Sequence, residues 1–219
     1  VTKKGYKFIL NPVNVMGYTT EKLRELLTII NELQPFGVTI VDTFGSMQVA
    51  DLERLYKIFE EVLNSNITIG LHLHENMSSS FLLAQHFLKI KKSERKVTID
   101  GSLLGMGRIP GNLCIEMLMD YMNSTFQSNY QLEPILRTIT KYIEPIKEKK
   151  AWGYSPAYYF TGKLCIHRSY AEFLLAKNDI DLGDILCILA MLENDSHKTS
   201  FSKEYAQQLY VQYMYTKEG

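Results

Sequence analysis

Two histidines one residue apart carry the sharpest chemistry in the chain, in the stretch GLHLHEN at positions 70–76. On a β-strand alternate side chains share a face, so His72 and His74 project together. Such a pair at a strand end suits two adjacent ligands of a divalent cation, or two hydrogen-bonded rim histidines with nothing bound. The same alternation turns Glu75 away and makes it a poor third ligand. A second stretch, DGSLLGMGRIPGNLCIE at 100–116, follows a strand end with Gly101, Gly105, Gly107 and Gly111. Glycines there permit positive φ and close approach to a ligand, and Asn112 is expected to cap the following helix, with Glu116 in its first turns. A tight turn with nothing bound is the simpler reading, and the glycines do not match a dinucleotide fingerprint. A third stretch, VDTFG at 41–45, sets Asp42 and Thr43 at another strand end. Thr43 could donate to a substrate carboxylate, while holding the loop's own N–H groups is the favoured role for Asp42.

These residues must be placed by a scaffold, and the hydrophobic pattern supplies one. Four short apolar runs, YKFILN (6–11), GVTIVDT (37–43), ITIGLHLH (67–74) and KVTID (96–100), read as strands buried on both faces, as in a parallel sheet. Helical periodicity fills the intervals, first in EKLRELLTIINEL after Thr20, then at about 48–63 and 77–91. Strands beginning about 30 residues apart are the repeat of a βα unit. Asn11, Asp42, His72, His74, Asp100 and Ser102 then all fall at C-terminal strand ends, the rim where a (βα)₈ barrel gathers its catalytic groups. Four units are half of such a barrel. The fold expected is the second half of a TIM barrel over residues 1–130, followed by an all-helical extension over 131–219. Helices are expected near 131–147, 167–177, 181–192 and 202–214, with KEKK at 147–150 a solvated helix end.

Composition narrows the classes. The 219 residues are 46% hydrophobic and 22% charged, which argues against disorder. Lysines and arginines number 24, as do the acidic residues, so no basic field attracts nucleic acid or anionic lipid. The longest apolar runs, such as ILCILAML at 185–192, are too short to span a bilayer. Cys114, Cys165 and Cys187 are far apart and lack a CxxC pattern, so they read as reduced core thiols in a reducing, cytoplasmic compartment. Position 1 is Val rather than Met, and an upstream segment is expected.

VDTFG, HLHEN and DGSLLGMGRIPGNLCIE, in this order and spacing, resemble the later half of the metal-dependent pyruvate aldolase and acyltransferase superfamily. That superfamily includes 4-hydroxy-2-oxovalerate aldolase, hydroxymethylglutaryl-CoA lyase and isopropylmalate synthase. The first of these is the nearest in look, because WGYSPAYYFTGKLCIHRSYAEFLLAKNDIDLGDIL at 152–186 is also similar to its helical region. The resemblance implies His72 and His74 as metal ligands and Asn112 as a residue that approaches or ligates the metal. It implies Thr43 beside the carboxylate of bound pyruvate, and Tyr154 reaching over the site to the substrate; a packed junction tyrosine is the plainer alternative for Tyr154. The family's first strand carries an Arg-Asp pair and the aldolase adds a histidine base; these find no counterpart here, so an upstream part or another chain is expected to supply them.

The activity so implied is cleavage or formation of a C–C bond in a 4-hydroxy-2-oxo acid through a pyruvate enolate. The cofactor would be a divalent ion, Mn²⁺, Co²⁺ or Mg²⁺, with Zn²⁺ also compatible. A small 2-oxo acid is the expected substrate, with no nucleic acid and no membrane as partner. The tyrosine-rich tail (Tyr158, Tyr159, Tyr205, Tyr210, Tyr213, Tyr215) is expected to pack against the barrel, or else to serve another subunit or an aldehyde-processing partner. The rival readings are a Claisen-type acyltransferase and a catalytically idle barrel kept for binding.

Overall fold

Four apolar runs become four parallel strands in the computed structural model, which describes residues 4–217. They are β1 (Ile9–Leu10), β2 (Gly37–Val41), β3 (Thr68–His72) and β4 (Val97–Asp100), paired side by side in chain order. A parallel neighbour needs a crossover, and α1 (Thr20–Leu33), α2 (Val49–Val62) and α3 (Ser80–Ile90) supply the three. This sequential strand–helix–strand order is a partial (βα) barrel, and helices follow it.

Leu23 and Leu27 of α1, Leu52, Leu55 and Phe59 of α2, and Leu83 and Phe87 of α3 close over Val38, Ile40, Ile69 and Leu71 of the inner strands. Burial of these helix faces, each drawn from positions three or four apart, is what holds the crossovers down. The inner strands β2 and β3 are buried along nearly their whole length, as their continuous apolar runs require. Burial on both faces does not extend to the outer two. β1 is two residues long with Ile9 45% exposed, and β4 is half-buried, because each has a strand neighbour on one side only.

Arg95 locks the base of the sheet. Its buried guanidinium donates to Glu60 and to the backbone carbonyls of Leu63, Asn64 and Ile67, just ahead of β3. Burial raises the Glu60 pKa, but hydrogen bonding and charge from Arg95 outweigh it and hold the carboxylate below its usual range.

The next helix, α4 (Ile115–Phe126), starts later than the glycine-rich stretch suggests. Cys114 occupies its N-cap position, and Asn112 does not cap it. Asn112 is committed elsewhere: its N–H bonds to Gly105 O, and its backbone forms an antiparallel bridge with His74. Glu116 does sit in the first turn, where its carboxylate accepts the Leu104 N–H.

Beyond α4 the elements are helical among the described residues: α5 (Leu132–Thr138), a π turn (Ile139–Ile143), α6 (Glu144–Lys149), α7 (Pro156–Lys163), α8 (Ser169–Leu175), α9 (Leu182–Ala190) and α10 (Lys203–Lys217). The helix α7 has no clear periodic signal, and Pro156 is its first residue, where a missing N–H costs nothing. Tyr158, Tyr170, Leu174, Ile185, Ile188 and Leu209 build a second core. Tyr205, Tyr210 and Tyr213 pack on this helical core rather than on the barrel, and Tyr215 is exposed. The cysteines are not core thiols: Cys114 and Cys165 are half-buried and Cys187 is exposed, since Ile185, Ile188 and Leu189 take the inward positions of α9. Among the described residues no helix is long and apolar enough to cross a membrane.

Asn76, four residues past the end of β3, ties the two cores together. Its buried amide donates to the Tyr158 carbonyl at 3.2 Å and to Thr161 Oγ1 at 3.3 Å, both on α7. Asn76→Ala is expected to remove both buried hydrogen bonds, the Tyr158 carbonyl keeping only its bond from Thr161 Oγ1, and to lower the unfolding free energy by about 1–3 kcal/mol. Urea denaturation checks this, and an unchanged midpoint would show that α7 docks without the amide.

Candidate active site

Parallel register carries the candidate residues to one level. Val41 lies opposite His72, and His72 lies opposite Asp100, at the C-terminal ends of three adjacent strands. His72 Nδ1 therefore meets Asp100 Oδ2 at 3.2 Å. Two residues on, His74 Nδ1 sits 2.7 Å from the backbone oxygen of Asp42, an acceptor, so Nδ1 carries the proton. The two rings stand edge to face with centroids 4.9 Å apart. The expected same-side pair is thus formed. Glu75 is turned away and its carboxylate accepts the Ser80 hydroxyl.

Asp42 serves two groups at once. Its carbonyl orients His74, and its carboxylate Oδ1 accepts the N–H groups of Ser46 (2.9 Å) and Met47 (3.2 Å), the loop-holding role read from VDTFG. The side chain is buried and Oδ2 has no hydrogen-bond partner among the described residues. Burial pushes the Asp42 pKa up to about 7, against the lowering effect of the backbone donors. Burial also lowers the His74 pKa, while the Asp42 carbonyl opposes the shift and the charges of His72 and Arg168 add to it. His74 is therefore held neutral, the form that ligates a metal.

The glycine-rich loop delivers Asn112. A Cβ on Gly107 would stand 2.5 Å from Asn112 Nδ2, so only glycine leaves room for that amide. Gly111, at φ +121°, turns the chain immediately before it. Asn112 Nδ2 donates to Met106 O at 3.0 Å, a bond that does not use Oδ1.

The donor set fits a divalent cation. Both Nδ1 atoms are engaged by a carboxylate or a carbonyl, the outer-shell pattern that leaves Nε2 for a metal, and the backbone of Asn112, whose amide oxygen is a further oxygen donor by type, pairs with that of His74. Among the described residues no group of three or more His, Cys, Asp or Glu side chains is placed to hold a metal ion.

A cavity of about 180 Å³ opens beside His74, lined by Thr43, Phe44, Asn76, Arg108, Ile109, Pro110, Ile166, His167 and Arg168. Thr43 Oγ1 accepts the Asn14 N–H at 2.8 Å and keeps its own proton to donate. Tyr154 is not among the lining residues. Tyr154 is 65% exposed and borders a separate surface pocket with Trp152, Tyr158 and Glu172; Ile109 is common to both pockets. Arg108, His167 and Arg168 are cavity residues that motif reading passed over. Arg108 stands inside GMGRIPG, and an arginine in a strand-end glycine loop was the available signal.

Fold and strand-end cluster together define a (βα)-barrel protein with a rim site. Residues 2–141 match the HMGL-like family, and the chain belongs to that family. The N-terminal domain of a candidate aldolase from Bacteroides vulgatus is similar in structure, with a TM-score of 0.70 and 22% identity over 81% of this chain and 57% of that one. The HMG-CoA lyase of Bacillus subtilis gives a TM-score of 0.57 at 20% identity, over 69% of this chain and 52% of the lyase. The carboxyl transferase domain of Rhizobium etli pyruvate carboxylase gives 0.62 at 10% identity, over 97% of this chain and 37% of that one. The chain thus spans little more than half the length of the first two.

The buried Asp42 has a pH consequence. Its pKa is raised on folding, so the folded state binds the proton more tightly than the unfolded chain. The stabilisation is complete below the ordinary carboxylate pKa and is lost as pH rises through about 7. Between pH 4 and 7 the stability of the wild type, relative to Asp42→Asn, is expected to fall by up to about 1.4 kcal/mol per pH unit. Denaturant midpoints of both proteins across that range check this; parallel curves would mean that Asp42 is ionised throughout.

Proposed function

We propose that the protein is a divalent-metal-dependent aldolase or lyase acting on a 4-hydroxy-2-oxo acid, in the manner of 4-hydroxy-2-oxovalerate aldolase. The observation that carries the reading is the His72–His74 pair, each ring fixed through Nδ1 and set beside Asn112 at the barrel rim. His72, His74 and the Asn112 amide oxygen would hold a Mn²⁺, Co²⁺, Mg²⁺ or Zn²⁺ ion. Such an ion supplies Lewis-acid stabilisation of the pyruvate enolate oxygen.

The chain's own residues do the rest of the work assigned to this half of the barrel. Asp100 and the Asp42 carbonyl keep the two imidazoles in one orientation, so no reorganisation is needed when substrate arrives. Thr43, its hydroxyl proton unclaimed by Asn14, donates to the 2-oxo acid carboxylate in the cavity beside His74. The walls from Phe44, Ile109, Pro110 and Ile166 exclude water from the reacting carbon. Tyr154 lines the neighbouring pocket rather than this cavity, and its assignment to the hydroxyl on the aldehyde side, as a proton donor and acceptor, rests on the family resemblance alone.

Proton exchange tests this without knowledge of the aldehyde. The full-length protein supplied with Mn²⁺ is expected to exchange the methyl protons of pyruvate for solvent deuterium, followed by proton NMR. His72→Ala or His74→Ala should abolish exchange and lower bound Mn²⁺ measured by elemental analysis. Tyr154→Phe should depress aldol cleavage at least tenfold more than exchange. Untouched pyruvate protons together with no bound metal would favour a binding module instead. Equal losses in the Tyr154 variant would remove that residue from the aldehyde side.

A further inference from the structure

Part of the cavity lining is cationic, and the proposed chemistry at the histidine pair does not use it. Arg108 comes from the glycine-rich loop, and His167 with Arg168 from the entry to α8. The three lie within electrostatic reach of one another: the Arg168 and Arg108 charges both act on His167, and that of Arg168 also acts on His74. No carboxylate is among the residues lining this cavity.

Each of the three has hydrogen-bonding capacity to spare. Arg108 makes no ion pair among the described residues, whereas Arg168 is held by the Ile109 carbonyl at 2.8 Å and by Glu172 at 2.5 Å. Those two contacts fix the Arg168 guanidinium and still leave its Nε–H buried with no acceptor among the described residues. A buried donor without an acceptor is costly, so this guanidinium is one that an added acceptor would stabilise. His167 Nδ1 accepts the Ser169 N–H at 3.3 Å, so in the neutral ring the proton lies on Nε2 as a further donor. Burial and the charges of Arg168 and Arg108 lower the pKa of this histidine, with Glu172 opposing them, in keeping with that neutral donor.

We propose that Arg108, His167 and Arg168 form a second anion subsite, which takes a carboxylate or phosphate carried on the aldehyde half of the substrate. This rests on the aldolase reading for its account of the other half, where the 2-oxo acid sits at His72, His74 and Thr43. The aldehyde released or consumed is accordingly an anionic one. A neutral alkyl aldehyde would bring no counter-charge to Arg108, the guanidinium that has no ion-pair partner among the described residues.

Three aldehydes of similar size separate the cases: propanal, succinate semialdehyde and glyceraldehyde 3-phosphate. Their affinities for the full-length protein, with the Arg168 Nε–H followed by ¹H–¹⁵N NMR, are the measurement. At least one charged aldehyde should bind about tenfold or more tighter than propanal and shift the Arg168 Nε–H signal. Which of the two does so tells carboxylate from phosphate. In Arg108→Gln the preference over propanal should collapse. Arg168→Lys, which keeps the charge but loses the fork, should retain only part of it. Equal affinity for all three aldehydes overturns the proposal, as does a preference undiminished in both variants. Pyruvate alone shifting the Arg168 Nε–H, in competition with inorganic phosphate, would also overturn it by making these residues the 2-oxo acid site. Inorganic phosphate shifting the Arg168 and His167 signals in a protein that fails to exchange pyruvate protons would keep the anion subsite and remove only the aldolase.

Discussion

Strand register is the constraint on which the site depends. The pairing Val41–His72–Asp100 places three strand ends at one height, and a slip of one residue would send the histidines into the opposite layer. That register is secured from below. Val38, Ile40, Ile69 and Leu71 are buried under three helices, and Arg95 gathers Glu60 with the carbonyls that lead into β3. An exposed rim can hold polar groups in fixed positions because the apolar layers beneath cannot shift without exposing the core.

Dryness at the rim acts on two groups in one direction. Burial favours the neutral forms of both Asp42 and His74, raising the first pKa and lowering the second. The two are joined through the backbone, since the Asp42 carbonyl accepts from His74 while its carboxylate fastens the loop into α2. One residue therefore sets the orientation of a histidine and the start of a crossover helix. A rearrangement of either element would be felt by the other.

Much of this was readable from residue pattern, and the exceptions have physical causes. Period-two alternation was enough to bring His72 and His74 together, because a strand end leaves a side chain little choice of face. The ~30-residue repeat was enough for a parallel sheet. The runs at 6–11 and 96–100 looked as buried as the inner two, since apolar content does not say which strand will be last in a sheet. Asn112 looked like a helix cap by residue type. The loop instead spends its backbone on Gly105 and the His74 bridge, a long-range pairing that local propensity cannot show. Asn76, Arg108, His167 and Arg168 acquire their roles from contacts across the fold, with Asn76 and Thr161 85 positions apart. Isolated polar residues in loops carry no periodic signal from which such contacts could be read.

The helical region also decides what kind of site the rim becomes. Strand ends contribute His72, His74, Thr43 and Asp100, which face one side of an open surface. Ile166, His167 and Arg168 come from the other core and supply a second wall of the cavity. Asn76 anchors α7 directly ahead of those residues, and Arg168 reaches back to the Ile109 carbonyl on the loop that delivers Asn112. The cavity is therefore bounded by loops from both cores, so its shape depends on their docking more than on either core alone. A barrel rim of this kind can keep its strand-end chemistry while the docked helices set which second group the cavity accepts.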